Sequence, residues 1–199
     1  FEKLSQSLAA VTEGTTRIRD LVRDLRTFSR LDMADWVVAP IAESLRATVN
    51  LVRTQYAADI RIELQLDANP DLLCWPAQLN QVFMNLVVNA CQAMMGRSPQ
   101  QRLNRPGVLT IASRIEGEFL LLEFSDNGPG IAPEIIERIF DPFFTTKTVG
   151  EGMGMGLSIS HGIIEKHQGS ITVQSTLGQG TCFIVRLPLA KADPGDKIK

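Results

Sequence analysis

The segment over residues 78–95 is long and strongly apolar, and it constrains the fold more than any other feature of the sequence. Its apolar side chains recur at helical spacing, which predicts a helix that buries one face. The residues that we expect in the core are Leu79, Val82, Phe83, Leu86, Val87 and Ala90. The rest of the chain must supply apolar elements that cover this helix.

Strands and shorter helices alternate around this helix. Apolar and polar residues alternate from Ile60 to Leu66, which predicts a half-buried strand. We predict further strands over residues 72–75, 108–115, 118–125, 170–175 and 181–188, and helices over residues 41–56, 133–138 and 155–167. The mixture of strands and helices, in which hairpins predominate, predicts an α+β fold. It is a two-layer α/β sandwich in which helices cover one face of a mixed sheet.

Residues 1–32 carry a different pattern, in which apolar side chains recur every three or four residues from Leu4 to Leu25. That period is typical of a coiled coil or a helical bundle, and it predicts a helix that needs partner helices. We therefore expect a homodimer through this helix in the full-length protein. A linker over residues 33–39 leads to a second domain over residues 40–190, and we expect a disordered tail over residues 191–199.

The composition narrows the functional classes. With 44% hydrophobic residues and a net charge of −2, the chain is too apolar for a disordered protein and has no basic surplus for a nucleic-acid partner. It contains no run of 18 apolar residues, and it begins at Phe1 without a basic and apolar leader. We expect a cytoplasmic fragment of a longer protein, with any membrane anchor upstream of it. The spacing of the three cysteines is consistent with a reducing compartment.

Two asparagines interrupt the apolar helix. Asn85 and Asn89 are four residues apart and therefore lie on one face of it. Their amide oxygens could bind a hard cation. The alternative, which the residues leave open, is that both side chains hydrogen-bond to neighbouring loops.

A short polar segment, Asp126-Asn-Gly-Pro-Gly-Ile131, follows a predicted strand. Asn-Gly is a strong hairpin signal, but the next residues predict a helix rather than a returning strand. Glycines at this point let a flat ligand approach the backbone closely. The Asp126 carboxylate would accept a hydrogen bond from an exocyclic amine such as that of adenine.

A glycine-rich loop leads into the helix predicted over residues 155–167, and it contains Gly150, Gly152, Gly154 and Gly156. Backbone N–H groups at a helix N-terminus form a natural phosphate site. The loop matches neither the Walker motif nor the dinucleotide fingerprint. Taken alone, it is equally consistent with a flexible loop.

Together and in this order, the three segments resemble the N, G1 and G2 boxes of the ATP-binding domain of sensor histidine kinases, in the histidine kinase, gyrase and Hsp90-like superfamily. Residues 140–147 resemble the F box, and residues 178–183 resemble the last glycine-threonine motif of that family. Residues 15–30 resemble the second helix of the dimerisation hairpin. The ending Leu25-Arg-Thr-Phe-Ser-Arg30 and the Thr-Thr-Lys147 of the F box are similar to the nitrogen-regulation type. The resemblance implies a Bergerat-type ATP-binding fold.

The resemblance also implies a role for each matching residue. Asn89 would coordinate the Mg²⁺ that bridges the ATP phosphates. Asn85 occupies the place where gyrase-like relatives carry a water-activating glutamate. Because an amide cannot deprotonate water, phosphoryl transfer to a protein is favoured over hydrolysis. Asp126 would bind the adenine amino group. The other expected nucleotide contacts are Gly128, Gly130, Ile131 and Thr181 around the base, Gly152, Gly154, Gly156 and Leu157 along the triphosphate, and Phe143 and Phe144 as anchors of a lid over residues 140–155.

One position departs from the family pattern. Many members carry a lysine or arginine three residues after the Mg²⁺-binding asparagine, where this chain has Gln92. Our hypothesis is that Lys147 supplies the missing positive charge. The alternative is that Lys147 is a solvated loop cation.

The implied function is that of a sensor histidine kinase fragment. The parent protein would transfer the γ-phosphoryl group of Mg·ATP to a histidine of its dimerisation domain, and then to an aspartate of a response-regulator receiver domain. We expect the acceptor to lie upstream of Phe1, because His161 and His167 both fall within the nucleotide-binding domain. This fragment would therefore bind ATP or ADP without phosphorylating itself. The alternatives are another ATPase of the same superfamily and a non-catalytic ATP-binding or dimerisation module.

Overall fold

The computed structural model describes residues 36–56, 58–96, 98, 100, 105–147 and 154–189. The predicted dimerisation helix over residues 1–32 and the tail over residues 191–199 lie outside this part of the chain. In chain order the elements are β1 (Val37–Pro40), α1 (Ile41–Tyr56), β2 (Ile60–Leu66), β3 (Asp71–Cys74), α2 (Pro76–Met95), β4 (Gly107–Glu116), β5 (Phe119–Asp126), α3 (Pro133–Ile136), α4 (Gly156–Lys166), β6 (Ser170–Thr176) and β7 (Gly180–Pro188).

Five of the strands form one mixed sheet in the order β2-β4-β5-β7-β6. β2 and β4 run parallel, and the other neighbouring pairs in this sheet are antiparallel. The hairpins β4–β5 and β6–β7 follow the predicted pairing. The α+β sandwich with a mixed sheet is confirmed.

The helix α2 lies at the centre of the helical layer. It packs between α1 and α4 and against β4 and β5. Pro76 occupies the first turn, where its missing N–H costs nothing. The Phe83 ring stacks on that of Phe124 from β5, with 6.1 Å between the ring centroids. All six core candidates of the predicted helix are buried. In the described ranges, no helix has the length and apolar character needed to cross a membrane.

The predicted linker over residues 33–39 is corrected at its C-terminal end. Residues 37–39 belong to β1, which pairs antiparallel with β3 from Val37 opposite Cys74 to Pro40 opposite Asp71. The pairing comes from backbone hydrogen bonds rather than from burial, since Val37 and Val38 are 41% and 57% exposed. No strand signal based on buried side chains was therefore present in the sequence.

An aromatic cluster joins the start of the described chain to the ends of two other elements. The ring of Trp36 lies 4.2 Å from that of Trp75 and 5.4 Å from that of His167, between centroids. The His167 Nε2 atom accepts a hydrogen bond from the Trp75 backbone N–H at 3.1 Å, and Nδ1 lies 2.8 Å from the carbonyl oxygen of Ile163. These contacts require a neutral imidazole with its proton on Nδ1. Burial accordingly lowers the pKa of His167 below its usual value, against the opposing effect of the Ile163 carbonyl.

We predict that the free energy of unfolding decreases as the pH falls below 6.5, the ordinary pKa of histidine. Because His167 binds its proton more readily in the unfolded chain, acid favours unfolding. The contribution of the neutral His167 to the stability of the fold is therefore complete only above pH 6.5. Urea denaturation followed by tryptophan fluorescence measures this effect. Both tryptophans of the sequence, Trp36 and Trp75, lie in the cluster. The His167→Gln variant should lose much of this pH dependence, whereas His161→Gln, at a partly exposed position, should retain it. Equal pH dependence in the two variants would contradict the assignment.

Candidate functional site

The ends of three strands meet at Asp126. This residue closes β5, where it lies opposite Leu109 of β4 and Thr181 of β7. Asp126 is 8% exposed and Thr181 is 7% exposed. Antiparallel pairing therefore places the predicted base-binding carboxylate directly beside the predicted threonine.

The segment after Asp126 turns away from the sheet and does not form a hairpin. The Asp126 Oδ1 atom accepts a hydrogen bond from the Gly128 backbone N–H at 2.7 Å. A Cβ atom on Gly128 would lie 2.6 Å from that oxygen, so a larger residue would have to displace the carboxylate. The Asn127 side chain fastens the turn to the start of β4, since its Oδ1 accepts from the Val108 N–H at 3.0 Å and its Nδ2 donates to the Pro106 carbonyl at 2.9 Å. Sequence reasoning assigned no role to Asn127.

Ser175 of β6 is a second residue that sequence reasoning missed. Its Oγ atom accepts a hydrogen bond from the Ile131 N–H at 2.8 Å, donates to the Gly180 carbonyl at 2.9 Å, and lies 3.0 Å from Thr181 Oγ1. One hydroxyl group thus links the two segments predicted to surround the base. Gly130 packs against the same strand with φ +72, and a Cβ atom there would lie 2.2 Å from the carbonyl oxygen of Thr176. A lone serine in a strand gives no sequence signal for such a contact.

The asparagine face of α2 meets the start of α4. The Asn85 amide donates to the Gly156 carbonyl at 3.0 Å and to Ser160 Oγ at 3.2 Å. Asn89 is half-buried one turn further along this face. Asn85 therefore bonds neighbouring protein groups, as the alternative left open by the sequence expected, but its partners lie in α4 rather than in a loop.

Gly154, two residues before α4, packs against the predicted F box. Gly154 has φ +67, and a Cβ atom there would lie 2.4 Å from the carbonyl oxygen of Phe144, so only glycine packs here without displacement. Phe144 packs against the core and lies under the Arg138 guanidinium, 4.8 Å from its ring centroid. Phe143, in contrast, is 70% exposed at φ 66. The two predicted lid anchors therefore differ in their packing: Phe144 contacts the core and Phe143 is exposed. Gly152 lies outside the described residues, and Leu157 packs against the core at the start of α4.

The structure brings Lys147 to the position that departs from the family pattern. The Lys147 ammonium donates a hydrogen bond to the side-chain oxygen of Gln92 on α2. Both side chains are half-buried. The lysine side chain therefore has a partner on α2.

One thiol and two histidines are further titratable groups of this domain. Burial first, and the negative charge of Asp126 second, raise the pKa of the Cys91 thiol to about 12. Cys91 is therefore a neutral side chain near the carboxylate at physiological pH. His167 is buried in the aromatic cluster, and His161 Nδ1 lies 3.4 Å from a carboxylate oxygen of Glu165.

Comparison with known proteins identifies relatives of this chain. A family model described as histidine kinase-, DNA gyrase B-, and HSP90-like ATPase matches residues 76–191, which is more than half of the chain. A putative sensor protein of Shewanella frigidimarina is 32% identical over 97% of this chain and 28% of its own length. The sensor kinase CckA of Brucella abortus is 36% identical over 89% of this chain and 20% of its own length. The chain thus spans less than a third of these relatives.

Solved structures share the fold. The catalytic domain of histidine kinase ThkA, in a nucleotide-free form, superposes with a TM-score of 0.66 at 29% identity over 77% of this chain and 95% of that chain. Full-length ShkA, solved in complex with AMPPNP, superposes with a TM-score of 0.72 at 27% identity over 88% of this chain and 36% of that chain.

We predict that Gly180→Ala lowers the free energy of unfolding by about 2 kcal/mol. Gly180 has φ +130, and a Cβ atom there would lie 2.0 Å from the carbonyl oxygen of Asp126, so the added methyl group must displace the end of β5. Gly162→Ala is the matched control, because a Cβ atom in that helical position meets nothing within 4 Å. It should be neutral or stabilising by up to about 1 kcal/mol. Urea denaturation measures both, and equal stability of the two variants would contradict the crowding at Asp126.

Proposed function

The chain belongs to the histidine kinase-, DNA gyrase B-, and HSP90-like ATPase family and carries the catalytic ATPase domain of sensor histidine kinases, and from this premise we propose that it binds Mg·ATP for phosphoryl transfer to a histidine. The observation that carries the proposal is that α2 contacts both bordering segments. It packs against β5, the strand that ends at the buried Asp126, and its Asn85 amide holds the Gly156 carbonyl at the start of α4.

Asp126 is suited to recognise the base. A buried carboxylate needs polar partners, and the Gly128 N–H supplies one of them. The exocyclic amine of adenine would supply another, and a carboxylate is an acceptor only. Ser175 holds Ile131 and Thr181 in place around this point. The assignment of Gly128, Gly130, Ile131 and Thr181 to the base remains a proposal that this geometry supports.

The donor set of the chain fits a magnesium ion that accompanies a triphosphate. Mg²⁺ prefers oxygen ligands and keeps several waters, and commonly takes only one or two protein ligands besides phosphate. The half-buried Asn89 amide provides one oxygen on the face that also carries Asn85. When bound, the ion would neutralise charge on the phosphate oxygens. Asn89 would orient it, and the N–H groups at Gly154 and Gly156 would face the phosphates at the start of α4.

The role of Asn85 favours transfer over hydrolysis. Its amide donates to the Gly156 carbonyl and to Ser160 Oγ, so it braces α2 against the phosphate-binding turn. An amide does not take a proton from water. In the proposed reaction the bond from the γ-phosphorus to the bridging oxygen breaks, a phosphorus–nitrogen bond forms at the acceptor imidazole, and ADP leaves. Positioning and charge neutralisation supply most of the acceleration.

The finer features of the parent protein are part of the same proposal. We place the acceptor histidine outside this chain, and we assign residues 1–32 to one helix of a homodimeric hairpin, so the fragment alone should not phosphorylate itself. The phosphoryl group would pass on to a response-regulator receiver domain in the cytoplasm. Residues 25–30 and Lys147 support the nitrogen-regulation type.

We predict that Asp126→Asn weakens Mg·ATP binding by about tenfold or more, because a charge-assisted hydrogen bond to the adenine amine is lost. Isothermal calorimetry of the chain measures the affinity. Asp67→Asn, at an exposed acidic residue just after β2 and outside the segments assigned to the site, is the control and should bind like the wild type. Unchanged affinity in Asp126→Asn would contradict the role of this carboxylate. Absence of Mg·ATP binding by the wild-type chain would instead favour a non-catalytic module.

We predict that the wild-type chain hydrolyses ATP only slowly, and that Asn85→Ala does not abolish a steady turnover. The amide braces the phosphate-binding turn and has no basic function in this account. A coupled phosphate-release assay measures turnover at saturating ATP. Rapid hydrolysis that disappears in Asn85→Ala would favour a gyrase-like ATPase.

A further inference from the structure

The geometry points to Gln92 as a positioning residue for Lys147. We infer that its side-chain oxygen holds the lysine ammonium beside the asparagine face of α2, where the positive charge meets the terminal phosphates of ATP. This inference rests on the proposed function, since it concerns a bound nucleoside triphosphate. It adds a residue that has no charge and contacts no phosphate itself.

Gln92 shares one face of α2 with the two asparagines. Gln92 follows Asn89 by three residues and Asn85 by seven, so all three side chains project from one face of the helix. At one end of this face, Asn85 holds the Gly156 carbonyl at the start of α4. At the other end, Gln92 holds the Lys147 ammonium. The two contacts fix both segments that border the site to the same helix, with Asn89 between them.

The side-chain amide of Gln92 is a neutral hydrogen-bond acceptor for the Lys147 ammonium. A neutral carbonyl oxygen orients an ammonium group through a hydrogen bond without cancelling its charge. A carboxylate at the same position would form an ion pair and reduce the field that reaches a phosphate. The side chains of Gln92 and Lys147 are both half-buried, so solvent screens the charge of the ammonium group less than it would on an open surface. Glutamine therefore fixes the position of the ammonium group without itself neutralising its charge.

The backbone between Asp141 and Lys147 is held by its own hydrogen bonds. The Lys147 N–H donates to Thr145 Oγ1 at 3.2 Å, and the Phe144 N–H donates to the Asp141 carbonyl at 3.2 Å. Phe144 is packed against the core, so the segment that leads to Lys147 has a fixed origin. Gln92 then fixes the far end of the long side chain. Ordering the side chain before the ligand arrives reduces the entropy lost on binding.

A double-mutant cycle tests the coupling between the two residues. Mg·ATP and Mg·ADP affinities are measured by calorimetry for the wild type, Gln92→Leu, Lys147→Ala and the double variant. We expect Lys147→Ala to weaken ATP binding about tenfold and ADP binding less. Gln92→Leu should weaken ATP binding several-fold in the wild-type background and have no further effect when Lys147 is absent. Thermal unfolding of Gln92→Leu should match that of the wild type.

Gln92→Glu distinguishes two roles of the contact with Lys147. Gln92 either positions a positive charge for the phosphates, or only fastens residues 140–147 to α2, which we call a latch. The carboxylate would hold Lys147 more strongly, so a latch would be preserved or strengthened, whereas a positioned charge would be neutralised. We expect Gln92→Glu to lose ATP affinity as Lys147→Ala does. Gln92→Glu in the Lys147→Ala background measures the direct repulsion between the new carboxylate and phosphate. The loss of ATP affinity measured there is used to correct the loss that Gln92→Glu causes when Lys147 is present.

A measurement without nucleotide follows the contact itself. The ammonium signal of Lys147 in a ¹⁵N-detected spectrum is assigned by its loss in Lys147→Ala. In the ligand-free wild type the ammonium protons should exchange slowly with water and give a sharp signal, and in Gln92→Leu faster exchange should broaden that signal. Wild-type ATP affinity in Gln92→Leu, or equal effects of Gln92→Leu with and without Lys147, would overturn the inference while leaving the proposed function intact. A wild-type chain that binds no ATP would overturn both.

Discussion

The packing of α2 against the five-stranded sheet is the constraint on which the rest of the structure depends. One face of this helix is buried on β4 and β5, where Phe83 stacks on Phe124. That burial fixes the rotation of the helix about its axis. The adjacent face, with Asn85, Asn89 and Gln92, must then point along the border of the candidate site. Hydrophobic packing thus sets the direction of every polar group that α2 contributes.

The other half of the site depends on strand register. Asp126 and Thr181 lie side by side because β5 and β7 pair antiparallel to their ends, and Gly180 is needed for the close approach of the two backbones. Ser175 ties this strand end to the turn that carries Ile131. The site is therefore built from one helix face and from the ends of two interior strands, and the contact between Asn85 and Gly156 braces the helix against the turn that enters α4.

The sequence predicted the elements with strong periodicity and missed those held by backbone contacts. The apolar helix and the alternation over Ile60–Leu66 are visible because burial imposes a period on the side chains. The strand β1 was assigned to a linker, since Val37 and Val38 remain exposed in it.

For the site, motif order predicts which segments border the nucleotide, and the structure joins two of them through Asn85 and Gly156. Motif order did not predict how they are held. Ser175 and Asn127 act through hydrogen bonds to distant backbone groups, and no local pattern records such contacts. A crystal structure of the chain with Mg²⁺ and a non-hydrolysable ATP analogue would locate the nucleotide directly. We expect the adenine amine within hydrogen-bond distance of the Asp126 carboxylate and the metal bound to the Asn89 oxygen. An analogue bound elsewhere, with Asp126 contacting only protein groups, would contradict this expectation.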